Sequence, residues 1–229
     1  MALTIDQFKQ LLEDPANIII DTRSADQWML GHIPNSLHIT PATVKYAVAI
    51  GAIEKATPLA LVLDPNFEKE TIAYFKEAGF SNIIGYLDGG YDAWLSSGNK
   101  TDMLIEVEPD ELAMDIPFDE FLMPLDIRTE EAFNKGHIKN SVSLPLAEFM
   151  DLGSMSELDE HFNIYIISEN GESNSLAASL LKKQGIHNIR TVMDGWEGVQ
   201  FLKDKFSFET IKKAKITKTD PSKTSFLED

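Results

Sequence analysis

Two short loops hold the side chains best suited to chemistry. Ser168 follows the apolar run Ile164-Tyr165-Ile166-Ile167 and opens the loop Ser168-Glu169-Asn170-Gly171-Glu172-Ser173-Asn174. A serine hydroxyl becomes a nucleophile only beside a general base. The sequence assigns it none, although His161 and His187 exist. Asp64 follows Leu59-Ala60-Leu61-Val62-Leu63 and precedes Pro65. Asp then Pro suits the N-cap and N1 positions of a helix. A carboxylate nucleophile for phosphoryl transfer is the sharper alternative, but no metal-ligand candidates adjoin Asp64. For both loops the structural reading is favoured over hydrolase or phosphatase chemistry. The chain has no cysteine, which excludes a disulfide, a thiolate metal site and a cysteine nucleophile.

Alternating strands and helices must position these loops. In the first half, helical patterns cover Thr4–Leu12, Ala25–Leu30, Thr43–Gly51, Asn66–Ala78 and Tyr91–Ser96, with apolar strands at Asn17–Asp21, Ser36–Ile39, Leu59–Leu63 and Ile83–Tyr86. The second half repeats the order. Its helices are Asp110–Met114, Glu130–Lys135, Leu146–Asp151, Ser173–Lys183 and Trp196–Asp204; its strands are Met123–Ile127, Ser141–Leu144, Ile164–Ile167 and Ile189–Val192. Short apolar strands between helices predict an α/β fold with a parallel sheet covered on both faces.

The repetition extends to individual residues. Asp21, Arg23, Gly31, His32, Ile33, Asn35 and Ser36 recur 105 positions later as Asp126, Arg128, Gly136, His137, Ile138, Asn140 and Ser141. Gly79, Asn82, Ile83, Asp88 and Gly89 recur 106 positions later as Gly185, Asn188, Ile189, Asp194 and Gly195. Halves of this size fold as two domains, not as a solenoid. The division expected is 1–100, 101–206 and a Lys-rich tail at 207–229, with a linker near Ser97–Leu104. Trp28, Trp94 and Trp196 lie on predicted helices and suit core or interface positions. Gly89 and Gly90 supply a tight turn.

Asp-Thr-Arg followed by Gly-His-Ile-Pro-Asn-Ser, its second copy Asp-Ile-Arg with Gly-His-Ile-Lys-Asn-Ser, and Asp-Gly-Gly-Tyr-Asp-Ala-Trp together resemble the rhodanese family. The likeness covers almost the whole chain, twice. The Gly-Tyr-Leu-Asp-Gly-Gly segment at 85–90 is also similar to the cysteine-free rhodanese-like domain behind metallo-β-lactamase-fold persulfide dioxygenases. The His-x-His-x-Asp-His run of that metal domain does not occur in this chain.

The resemblance implies two rhodanese-like domains, each a central parallel sheet with helices on both faces. It implies chemistry in which a cysteine at a strand end carries a persulfide, within a loop whose backbone N–H groups converge at a helix N-terminus. By that comparison Asp64 and Ser168 stand at the degenerate cysteine positions. Residues Glu169, Asn170, Gly171, Glu172, Ser173 and Asn174 are then the candidate binding loop, of active-like length but with two Glu and no Arg. An anionic donor meets like charge there. Asp21/Arg23 and Asp126/Arg128 become fold-holding ion pairs, and His32 and His137 structural hydrogen-bonding groups.

The net charge of −17 argues against nucleic acid and anionic membrane as general partners. Positive charge collects from Lys203 onward, where seven Lys face five acids. The start of the chain lacks a basic, then apolar, leader pattern, so a cytoplasmic location is expected. No cofactor or metal is expected. The expected role is a catalytically inactive binding or regulatory module for a protein partner such as a sulfur-metabolising enzyme; a relict or repurposed enzyme using the Ser168 loop is the alternative.

Overall fold

The computed structural model describes residues 1–151 and 153–211. The Lys-rich tail from residue 212 onward lies outside the described residues.

The first half runs β1 (Ala2–Leu3), α1 (Ile5–Glu13), β2 (Ile18–Asp21), α2 (Ala25–Leu30), β3 (Leu37–His38), α3 (Val44–Ala49), β4 (Leu59–Val62), α4 (Glu68–Glu77), β5 (Ile83–Leu87) and α5 (Gly90–Ser96). Its strands form a parallel sheet in the order β1-β5-β4-β2-β3. The second half runs β6 (Ile105–Val107), α6 (Pro109–Asp115), β7 (Leu122–Asp126), α7 (Glu130–Lys135), β8 (His137–Ile138), β9 (Val142–Ser143), β10 (Asn163–Ile167), α8 (Asn174–Lys183), β11 (Ile189–Val192), α9 (Gly195–Phe201) and β12 (Phe208–Glu209). Its parallel sheet, β6-β11-β10-β7-β9, repeats the first. Helices surround both sheets, as the α/β reading expects.

Local chemistry sets the boundaries. Thr4 and Ser24 close capping boxes with Gln7 and Gln27, and Thr129 caps α7. The repeated Asn35 and Asn140 turn the chain at φ of 64° and 65°, a left-handed conformation that asparagine tolerates.

Several expectations are corrected. The edge strands β1 and β6 are too short to show a period. Leu146–Glu148 is a 3-10 turn rather than a longer helix, and α9 stops at Phe201. Residues from 207 are not all tail: Phe208 and Glu209 pair antiparallel with Ile138 and His137. The 106-residue offset holds only up to the start of β5. Leu59 faces Ile83 but Ala60 faces Gly85, so a β-bulge at Ile84 absorbs one residue. Beyond it the offset is again 105: Gly90 (φ 60°) matches Gly195 (φ 52°), and Gly89 matches Asp194.

The two sheets share one apolar core, which includes Trp28, Leu37 and Phe75 from one half and Leu176, Leu180 and Phe149 from the other. Helix α8 lies at the centre of this union. Nine of its ten residues are buried, because one side covers its own sheet and the other packs against β3 and α2 of the first half. On that side Ser175 meets His38 of β3 at 2.8 Å, and Ser179, one turn further along the same stripe, is fully buried. The linker is held as well. Asp102 exchanges backbone hydrogen bonds with His32, and Leu104 N–H donates to the Met29 carbonyl.

Candidate functional site

Sheet register defines which residues are equivalent at the strand ends. Val62 lies opposite Asp21, and Ile167 lies opposite Asp126. The next residue in each strand is therefore Leu63 in the first half and Ser168 in the second. A Cβ added to Gly90 would lie 2.6 Å from the Leu63 carbonyl oxygen, and one added to Gly195 would lie 2.3 Å from that of Ser168, which fixes the same match. Asp64 is thus one position off, equivalent to Glu169. It does not cap a helix either: α4 begins at Glu68, and the Asp64 carboxylate accepts a hydrogen bond from Gln27 Nε2 at 3.1 Å. A left-handed Asn66 inside the turn delays the helix and separates Asp64 from it.

Ser168 is 3% exposed, and its Oγ accepts the Gly171 amide hydrogen at 2.9 Å. The Glu172 amide donates to Asn170 Oδ1 at 3.3 Å, and the Asn174 amide to the Gly171 carbonyl at 3.0 Å. These loop donors are spent within the loop. From the other side, Trp196 N–H donates to the Ser168 carbonyl at 2.7 Å and Glu197 N–H to that of Glu169 at 3.1 Å. The first amides of α9, which have no partner within their own helix, hold the loop by its backbone. Gly195 makes that approach possible.

A cavity of about 190 Å³ covers Ser168, lined by Ile127, Arg128, Thr129, Glu169 and Ser173, and by Tyr46 from the first half. Burial pushes the Tyr46 phenol up, so this wall is neutral. Of the expected loop residues, the cavity gathers Glu169 and Ser173. Asn170 and Glu172 are exposed to solvent, and Asn174 turns inward, its Nδ2 donating to the Val192 carbonyl at 2.9 Å. Tyr46 was not legible as a site residue, because only the docking of the two halves brings it there.

Arg128 borders the cavity but is committed elsewhere. Its Nε and Nη2 reach Asp126 at 2.9 and 2.6 Å, Nη2 also reaches the Gly136 carbonyl at 2.8 Å, and its guanidinium lies 3.8 Å from the Trp196 ring centroid. Arg23 repeats this with Asp21, Gly31 and Tyr91. Buried and bidentate, both pairs hold the strand-to-helix turn. His32 and His137 stack on Trp28 and Phe133 at 3.8 and 3.7 Å, and each bonds through Nδ1 to a backbone carbonyl of the same residue. In the first half the corresponding cavity, about 240 Å³, is lined by Thr22, Pro41, Asp64, Phe67, Glu70, Thr71 and Tyr74. Among the described residues, no three His, Asp or Glu side chains gather as a metal site, and no helix is long and apolar enough to cross a membrane.

The rhodanese-like domain model matches residues 4–97 and again 108–201. The chain is 36% identical over 92 residues to the thiosulfate sulfurtransferase GlpE of Pseudomonas aeruginosa, a match covering 40% of this chain and 80% of that protein. It is 32% identical over 105 residues to the putative sulfur carrier protein YrkF of Bacillus subtilis, covering 44% of this chain and 56% of the relative. A crystal structure of a thiosulfate sulfurtransferase from Pseudomonas aeruginosa overlays on 92% of this chain and 44% of the other, at 15% identity and a TM-score of 0.41.

Proposed function

The chain belongs to the rhodanese-like domain family, once in each half, and from that premise we propose that it is a non-catalytic member, a module that binds and regulates a protein partner in sulfur metabolism. One observation carries this reading. The side chain at the strand end is Leu63 in one domain and Ser168 in the other, and the Ser168 hydroxyl is used to close its own loop. Neither atom can carry a persulfide. Glu169 beside the cavity opposes an anionic sulfur donor, and both family arginines nearby are neutralised by Asp21 and Asp126.

The partner class we favour is an enzyme that oxidises or transfers persulfide sulfur, on the likeness of residues 85–90 to the rhodanese region of persulfide dioxygenases. A cytoplasmic setting fits that partner. The test is capture of partners on the immobilised full chain, with an unrelated acidic protein as control. Selective retention of a sulfur-metabolising enzyme supports the proposal; identical retention by both proteins overturns it.

A further inference from the structure

The two domains meet through buried polar contacts as well as the shared apolar core. His38 on β3 is 3% exposed. Its Nε2 lies 2.9 Å from the Arg23 carbonyl, which can only accept, so Nε2 carries the proton. Nδ1 is then the acceptor for the Ser175 hydroxyl of α8, 2.8 Å away across the domain boundary. Two turns along the same helix, Lys182 Nζ donates to Asp102 at 2.7 Å and to the Met103 carbonyl at 2.8 Å. Residues 175, 179 and 182 share one helical stripe, so α8 grips the first domain and the linker at two points.

We propose that domain docking is acid-sensitive and that His38 is the sensor. Protonation puts a charge on an imidazole that docking encloses. The groups facing it from the neighbouring elements do not offset that charge. Ser175 on α8 can reverse its hydroxyl but adds no negative charge. Trp28 of α2 presents its ring at 5.5 Å. Asp21 is the nearest carboxylate, and it is held bidentate by Arg23, whose own charge opposes a second cation. His32, Asp102 and Lys182 belong to the second grip, where His32 Nε2 is 3.5 Å from Asp102. Burial holds His38 below its ordinary value of 6.5, with only partial compensation from the Arg23 carbonyl and Asp21. The undocked state thus binds a proton more readily. Docking is complete above about pH 6.5 and weakens as pH falls below it. Because Tyr46 is a wall of the Ser168 cavity, undocking would also open that cavity. Docking responds in this way whether or not the chain acts on a sulfur enzyme.

The absence of cysteine makes a clean probe. Ser179 is fully buried between the two grips, its Oγ bonded to the Leu176 carbonyl, and Ser179→Cys gives the full chain a single thiol. Its labelling by 4,4′-dithiodipyridine is measured relative to the denatured chain at each pH. We expect the relative rate to rise about tenfold between pH 7.5 and 5.5, the factor set by one group of ordinary imidazole pKa. Adding His38→Gln should cut the rise severalfold, leaving only the share of His32, whose imidazole burial also holds low beside Asp102. Adding Ser175→Asp, which supplies the missing carboxylate, should reverse its direction. A parent rate that is flat with pH, or an equal rise in the His38→Gln chain, overturns the proposal; so does an unaltered rise with Ser175→Asp.

Discussion

Ser168 Oγ and the Gly171 amide are 2.9 Å apart, donor to acceptor, so the hydroxyl that stands at the strand end is the closing contact of its own loop. Removing it leaves a half-buried amide without that partner. Ser168→Ala should cost about 1 kcal/mol in urea unfolding; an unchanged midpoint would mean that solvent replaces the bond at no cost.

A sulfur atom at the same position should feel the same donor. The thiol of Ser168→Cys is expected below its free value of about 8.5, because Gly171 N–H stabilises the thiolate. Glu169 lines the cavity and opposes this, whereas Glu172 does not line it. Glu169→Gln should therefore lower the thiol pKa further and Glu172→Gln should leave it in place. The pH profile of alkylation rate reads all three chains; equal profiles with and without Glu169→Gln would exclude its influence on the cavity.

Two glycines with positive φ separate crowding from backbone preference. Gly195→Ala forces a Cβ to 2.3 Å from the Ser168 carbonyl oxygen, a backbone clash that no side-chain rotation relieves. We expect a loss of about 3 kcal/mol or more. At Gly185, φ is 93° and the space is open, so Ala should cost only about 1 kcal/mol. Equal losses in thermal unfolding would show that α9 does not pin the loop.

Much of this architecture is legible in the residues. Asp21, Arg23, Gly31 and Asn35 each do in the first half what Asp126, Arg128, Gly136 and Asn140 do in the second, because a short turn with a bidentate pair tolerates few alternatives. The bulge at Ile84 was not legible: it leaves no mark except a one-residue change of offset. The mismatch at Asp64 has another source: Leu63 is as apolar as the strand before it, so the first polar residue puts the strand end one position late. The docking was hidden for a different reason. A helix reading Asn-Ser-Leu-Ala-Ala-Ser-Leu-Leu-Lys-Lys has an ordinary apolar face; only its serines, small enough for close packing, hint at a second neighbour. Lys182 reads as a solvated charge until Asp102 is brought beside it.

That clasp alters the expected path of proteolysis. Ser97 and Gly98 are exposed, whereas Asp102 and Leu104 are tied down by Lys182, His32 and Met29. Nonspecific protease should cut first within residues 96–100 among the described residues of the linker. Lys182→Met should extend cleavage to 102–104 and speed it several-fold. Equal cutting at both places in the parent chain would contradict the clasp.

On the proposed reading this pair of rhodanese-like domains transfers no sulfur: no cysteine occurs among its 229 residues, and the strand-end positions hold Leu63 and Ser168. The most direct measurement is thiocyanate formation from thiosulfate and cyanide by the full chain. The account predicts a rate equal to that of a protein-free blank at every protein concentration. Steady production of thiocyanate in proportion to protein would contradict it.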